Sequence, residues 1–178
     1  MALLRARFDT PVGPMLALAS ETALCALEFS KTGRLSRLEA RLARWYGKPD
    51  IRDGSNDVIR ATRRWLDDYF AGASANISGL SLDMRGAPFE LTVWDALKQI
   101  PPGTTTSYGA IAKALASPGA SRAVGMANGA NPVAIIVPCH RVIGSSGSLT
   151  GYGGGLDRKT WLIDHERRWR TEPQASLF

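Results

Sequence analysis

Hydrophobic positions change period several times along the chain, and each change marks an element. Over the first 30 residues, the short apolar runs LLRARF, PMLALAS and LCALEF are broken by the turn formers Pro11, Gly13 and Pro14. β-prone runs of this length between turn residues predict three strands. From Leu35 the period lengthens. Leu35, Leu38, Leu42 and Trp45 recur at helical spacing with arginines between them, which predicts an amphipathic helix. The polar stretch GKPDIRDGSND reads as a connection. VIRATRRWLDDYF reads as a second helix with Asn56 or Asp57 as its N-cap. Residues 72–86 are small and irregular and read as a linker, with a domain boundary near residues 80–88.

The second half has a different texture. PFELTVWDALKQI predicts an amphipathic helix with Phe89, Val93, Leu97 and Ile100 along one face. PPGTTTSYG is a loop whose Thr106 or Ser107 can cap the next helix, YGAIAKALA. After the turn SPGAS comes a short helix, SRAVGMANGANP, stopped by Gly129, Asn131 and Pro132. Two short helices joined by a glycine-containing turn outline a helix-turn-helix, a weak signal by itself because many helical hairpins bind nothing. A helix that reads major-groove base edges would project Asn, Gln and Arg from several turns. This one offers Arg122 and then small residues, among them Ala123, Gly125 and Ala127. Small side chains suit close approach to a minor groove or tight packing on another helix.

Composition narrows the class. With 178 residues, 44% of them hydrophobic, the chain fits one ordinary domain or a small domain leaning on a second. Two cysteines make no disulfide framework and predict free thiols in a reducing compartment. The start, MALLRARFDTPVGP, has too short an apolar run for a signal peptide, and no stretch reaches the length of a membrane span. A cytoplasmic protein is the expectation. The net charge of +6 invites a polyanionic partner. It is evenly spread, since residues 1–88 hold 13 Lys/Arg against 10 Asp/Glu and residues 89–178 hold 9 against 6. Charge therefore permits nucleic acid without locating it.

The chemistry gathers in IIVPCHRVIG, where Cys139 and His140 stand side by side between Pro138 and Arg141. Cysteine attacks as the thiolate, which is scarce at neutral pH unless a base or positive charge helps. His140 and Arg141 are candidates. In an extended segment neighbouring side chains point opposite ways, so His140 would act through a water or after a turn. Such a histidine needs an acidic residue to orient it, and Glu166 and Asp164 in RKTWLIDHE both qualify. The bland alternative is a buried, inert core cysteine. The only Cys and His residues are Cys25, Cys139, His140 and His165, with no CxxC or HxxxH spacing, so neither a structural zinc site nor any other metal is expected. GYGGGLD follows no strand-to-helix phosphate pattern, and no cofactor motif appears.

These residues are recognisable together. NPVAIIVPCHRVIGSSGSLTGYGGGLDRKTWLIDHE resembles the active-site block of the O6-alkylguanine-DNA alkyltransferases, and SYGAIAKAL with SRAVGMANGANP is similar to that family's helix-turn-helix. The likeness is close over residues 88–166 and looser before them. It implies an α/β N-terminal domain (residues 1–84, a small antiparallel sheet with helices) and a mainly α, winged-helix-like DNA-binding and active-site domain (residues 85–168). Residues 169–178 are left as a tail.

By the same resemblance, Cys139 is the alkyl acceptor, His140 takes its proton through water, Glu166 holds His140, and Asn131 is the hinge before the active-site loop. Tyr108 helps rotate the nucleotide and donates to the base. Arg122 is the finger that fills the space left by the flipped base, with Ala123, Gly125 and Ala127 beside it in the minor groove of double-stranded DNA. Tyr152, Gly153 and Val142 border the guanine pocket. The activity implied is irreversible, single-turnover transfer from O6-alkylguanine, with O4-alkylthymine a second candidate lesion.

The chain departs from the family at Gly153, where relatives often carry a serine, and that removes a side-chain contact to the lesion. Some relatives hold zinc in the N-terminal domain, but Cys25 is the only thiol there and no histidine precedes His140. The terminal QASLF resembles the pentapeptide that docks bacterial repair proteins on the sliding clamp, through Gln174, Leu177 and Phe178. Two rival readings stay open here. One is a non-catalytic lesion-binding protein, in which the PCHR cysteine is replaced. The other is a cysteine hydrolase, which would turn over.

Overall fold

The predicted strands form as β1 (Ala2–Phe8), β2 (Met15–Ala19) and β3 (Leu24–Phe29), paired antiparallel in chain order. The structure, a computed structural model, describes residues 1–30 and 33–171. A fourth strand, β4 (Asp50–Asp53), lies in the polar stretch expected to be a connection. It pairs parallel to β1, so the order is β3-β2-β1-β4 and the sheet is mixed rather than purely antiparallel. A short edge strand with three charged residues, and only Ile51 half-buried against the cluster beneath the first helix, shows no apolar alternation that could reveal it.

Two helices sandwich this sheet. α1 (Arg34–Tyr46) sets Leu38 and Leu42 on Leu3, Leu18 and Ala26. α2 (Asp57–Phe70) starts at the N-cap Asn56, whose side chain accepts from the Ile59 N–H at 3.0 Å. It sets Ile59, Trp65, Leu66 and Tyr69 on the opposite face, among Met15, Ala17, Leu27 and Phe29. Each leucine buried in this way contributes about 1.5–3 kcal/mol.

Residues 72–86 are not a loose linker. Leu24 N–H donates to Ser81 O at 2.8 Å and Asp83 N–H to Leu24 O at 2.9 Å, tying them to the outer edge of β3. Farther along that edge, Leu27 N–H donates to Pro132 O at 2.9 Å and Ala134 N–H to Leu27 O at 2.8 Å.

The second half is helical: α3 (Pro88–Lys98), α4 (Tyr108–Ala114), α5 (Ser121–Gly129) and α6 (Leu156–Thr171). A two-residue parallel pair joins β5 (Thr106–Ser107) to β6 (Val142–Ile143). Val93, Trp94 and Leu97 are the buried face of α3, with Phe89 and Ile100 half-buried beside them. Ser107 caps α4, accepting from Ala110 N–H at 3.1 Å. α4 and α5 form the helix-turn-helix, with Ile111 and Ala112 packed near Val124 and Ala127. One core runs from Phe29 and Trp65 through Val93 and Val124 to Ile136 and Leu162. Among the described residues no helix is long and apolar enough to cross a membrane.

Candidate active site

The stretch before the cysteine is core, as expected, with Ile135, Ile136 and Val137 all buried. It is not a strand ended by proline. Only Val133 bridges β3, and the chain then turns, with Ile136 N–H donating to Ala134 O and Val137 N–H to Val133 O. Ile135 has φ of 70°, a left-handed conformation that costs a β-branched residue about 1–2 kcal/mol. Asn131 holds the turn closed. Its Nδ2 donates to Val137 O at 2.8 Å and Val133 O at 3.3 Å, while its Oδ1 accepts from Val133 N–H at 3.0 Å. Asn128, buried on α5, donates to Cys139 O at 3.2 Å.

Cys139, His140 and Arg141 form a single 3₁₀ turn after Pro138, not an extended segment. With about three residues per turn the three side chains fan out in different directions. His140 and Arg141 both reach Glu166 on α6, and Cys139 faces elsewhere. His140 Nε2 lies 2.7 Å from Glu166 Oε1. Arg141 clamps the same carboxylate from two nitrogens, Nε to Oε2 at 2.8 Å and Nη2 to Oε1 at 2.8 Å. Tyr69 OH donates to Oε1 at 2.8 Å and Gly103 N–H to Oε2 at 3.1 Å. Of the two acidic candidates Glu166 is therefore the partner. Asp164 is half-exposed, 3.5 Å from Arg167.

The electrostatics follow from burial and this clamp. Burial alone would push the Glu166 carboxyl up, but hydrogen bonds and charge from His140 and Arg141 outweigh it and hold it well below the usual range. An ionised carboxylate only accepts, so the His140 proton sits on Nε2 and Nδ1 keeps its lone pair. Nδ1 is buried with no protein partner. Burial pulls His140 below the ordinary imidazole value, with Glu166 opposing, so the ring is neutral. Burial also pushes the Cys139 thiol up, against Asn131 and the charges of Arg34 and Lys159. The resting site is a neutral thiol and a neutral imidazole backed by a carboxylate.

Other predicted residues fall around this centre. Tyr108 OH donates to Thr150 O at 3.2 Å, and Tyr152 stands edge-on to Phe29. Gly153 and Tyr152 border the small chamber over Cys139, with Asn128 and Gly154. Val142 is fully buried and borders neither that chamber nor the groove outside it. On α5, Arg122 and Ala123 are exposed, whereas Ala127 turns inward, its carbonyl accepting from Trp94 Nε1 at 2.8 Å. Met126, 73% exposed, stands on the outer face instead. Gln174, Leu177 and Phe178 lie outside the described residues.

Sequence reasoning missed several members. Lys159 is fully buried on α6 and its Nζ donates to Val142 O at 2.6 Å and Thr150 O at 2.9 Å, tying β6 to the loop that carries Tyr152. Burial lowers its pKa. Its spacing from Leu162 and Glu166, along one helix face, was the available signal. Arg34 and Glu28, from the other end of the chain, carry no such signal. Among the described residues no group of three or more His, Cys, Asp or Glu could hold a metal ion.

Comparison with known proteins places both halves of the chain in one family. Residues 88–168 match "6-O-methylguanine DNA methyltransferase, DNA binding domain", and residues 3–84 match "6-O-methylguanine DNA methyltransferase, ribonuclease-like domain". The methylated-DNA--protein-cysteine methyltransferase of Mycobacterium tuberculosis is 44% identical over 170 residues, covering 96% of this chain and 95% of that one. The protein of that name from Salmonella typhimurium is 44% identical over 167 residues, covering 93% and 96%. The crystal structure of Mycobacterium tuberculosis OGT in complex with DNA superposes with a TM-score of 0.80 at 39% identity, covering 93% of this chain and 94% of that one. With both halves matched and relatives this similar from end to end, the chain belongs to the 6-O-methylguanine DNA methyltransferase family.

Proposed function

We propose that this protein repairs O6-alkylguanine in double-stranded DNA by moving the alkyl group irreversibly to Cys139. The observation that carries this reading is that the buried Cys139 thiol and the neutral His140, itself held by Glu166, share one 3₁₀ turn anchored to α5. A relative at 39% identity is solved in complex with DNA, which supports the same partner here.

A thiol cannot reach a stacked base, so the nucleotide is extruded at a cost of a few kcal/mol. Arg122, exposed near the start of α5, enters the duplex in its place, and the small residues Ala123 and Gly125 let the helix approach the minor groove. His140 Nδ1 takes the thiol proton through a water molecule, and Glu166 stabilises the imidazolium that forms. The thiolate sulfur attacks the alkyl carbon. The carbon–oxygen bond breaks as the sulfur–carbon bond forms, and the guanine carries away the electron pair. Tyr108, a neutral phenol held up by burial, donates to the departing base. The thioether does not hydrolyse, so each molecule reacts once.

Residues 1–84 serve as the supporting domain, residues 85–168 bind DNA and react, and the two free thiols suit the cytoplasm. The tail, by its QASLF sequence, docks on the sliding clamp through Gln174, Leu177 and Phe178. Loss of clamp binding by the full chain on Leu177→Ala/Phe178→Ala supports docking; unchanged binding ends it.

The main test is mass spectrometry after incubation with duplex DNA bearing O6-methylguanine. One methyl increment on the Cys139 peptide, stopping at one equivalent and absent in Cys139→Ser, is expected. No increment would overturn transfer in favour of a lesion-binding role, and turnover beyond one equivalent would favour hydrolysis.

A further inference from the structure

Two cavities meet at Arg34. The outer one, about 600 Å³, runs between α1 and α5 and is bordered by Arg37, Gly125, Met126 and Gly129. The inner one, about 10 Å³, lies over Cys139. Arg34 borders both, with Glu28, Gly129, Gly151, Tyr152 and Gly153, so these residues form the wall between them. The groove is ample for a purine, and the chamber as it stands holds scarcely a water molecule. Cys139 is accordingly only 5% exposed.

The Arg34 side chain is latched across this wall. Its Nε donates to Glu28 Oε2 at 2.7 Å, Nη1 to Gly129 O at 3.0 Å and Nη2 to Asn131 O at 3.3 Å. Its side chain is 15% exposed and that of Glu28 only 4%. Burial works against the guanidinium charge, but Glu28 outweighs it and keeps the group charged. The bar also fills a particular space. A Cβ at Gly153 would stand 1.7 Å from Arg34 Nη1 and 2.5 Å from Cζ. The guanidinium thus occupies the volume that any side chain at position 153 would need.

We infer that Arg34 is the gate between the DNA-side groove and the Cys139 thiol, and that its withdrawal from over Gly153 admits the alkylated base. The inference rests on the transfer reading for its substrate and on the two cavities for its geometry. A base entering from α5 must cross the wall. Tyr152 is held from behind by Phe29, whereas the arginine is a long side chain with several rotatable bonds, and its contacts on this wall include one carboxylate and two carbonyls. Gly153 then has a second meaning: its missing side chain is what lets the bar close. Arg34 therefore selects by size, since a small alkyl group needs less of the vacated space than a large one.

The test uses the full-length protein and labels its thiols with iodoacetamide, followed by mass spectrometry of the Cys139 and Cys25 peptides. Cys25, buried in the separate cluster beneath α1, reports general loosening. Open states of closed proteins are commonly populated at about 0.1–10%, so removing the bar with Arg34→Ala should speed Cys139 labelling about 10- to 1,000-fold and leave Cys25 unchanged. Gly153→Ser, which forces the guanidinium aside while Arg34 remains, should do the same if Arg34→Ala folds poorly. Free O6-benzylguanine should react faster with both variants, with a larger gain than for O6-methylguanine. Wild-type labelling rates in both variants, or Cys25 rising in parallel with Cys139, would overturn the gate. Failure of wild-type protein to accept any alkyl group from DNA would instead overturn the transfer reading, and the iodoacetamide result would still judge the gate.

Discussion

Replacing Glu166 with glutamine removes one oxygen's charge and tests the whole site at once. In the native protein the carboxylate accepts two bonds from Arg141, one from Tyr69 OH, one from Gly103 N–H and one from His140. The amide carbonyl of glutamine can serve one side of this set. Its NH₂ faces donors on the other side and can accept nothing. Arg141 is left charged, buried and without a counter-ion. Removing one partner of a buried pair costs about 3–5 kcal/mol, mostly for the charge left behind. A domain of this kind is stable by about 5–15 kcal/mol, so the loss is a large share. At about 2–4 °C per kcal/mol for this chain length, Tm should fall by roughly 6–20 °C. Guanidinium denaturation of wild type, Glu166→Gln and the control Asp164→Asn measures it. The control should stay within about 0.5 kcal/mol, since Asp164 is half-exposed and loosely paired. The single-turnover rate should fall by about 10²–10⁴, the usual worth of a general base, because the His140 Nε2–H loses its acceptor. A stability loss under about 1 kcal/mol for Glu166→Gln would refute the reasoning, since the clamp would then not be holding a charge.

Three further outcomes are expected. The folded-state values of His140 and Glu166 both lie below their unfolded ones, so each contributes stability that is present at neutral pH and lost on acidification. Denaturation midpoints should therefore fall as pH drops below about 6.5 and again below about 4.5, with the first step absent in His140→Phe; a flat profile to pH 5 would contradict a neutral buried imidazole. Lys159→Met should slow methyl transfer at least tenfold by releasing the Thr150 carbonyl, with Cys25 labelling unchanged; wild-type kinetics would remove Lys159 from the site. Arg122→Ala should slow repair of duplex DNA by about 10²-fold while reaction with free O6-benzylguanine stays near wild type, and equal losses in both would end the finger role.

What could be read in the chain follows from how locally each feature is encoded. α1 and α2 declare themselves through leucines and aromatics at helical spacing and through the cap at Asn56, all within a few turns. Cys139, His140 and Glu166 carry a pattern because their chemistry demands those residue types. β4 escaped because it is charged and exposed, and the strap of residues 72–86 because its order comes from Leu24, some sixty residues upstream. The 3₁₀ turn was hidden for a related reason. An apolar run before a proline reads as a strand, whereas the chain ahead of it turns at Ile135, held left-handed by backbone hydrogen bonds and by three more from Asn131. Arg34 lay furthest from view, since nothing in RLSRLEARL indicates that its first arginine ends beside a cysteine a hundred positions on.

The hydrogen bonds along the outer edge of β3 have a consequence for how this protein fails. An uncovered strand edge is a template for pairing with other chains, and β3, with all six residues buried and a largely apolar LCALEF sequence, would be a sticky one. The chain covers it with itself, at one end with residues 81–83 and at the other with residues 132–134. The second cover is the stem of the loop that presents the thiol. The same few residues therefore hold the reagent and guard the protein against aggregation. The opposite edge, β4, needs no cover, because it is four residues long and three of them are charged. Damage to the reactive loop should thus show itself first as loss of solubility, before any loss of helix.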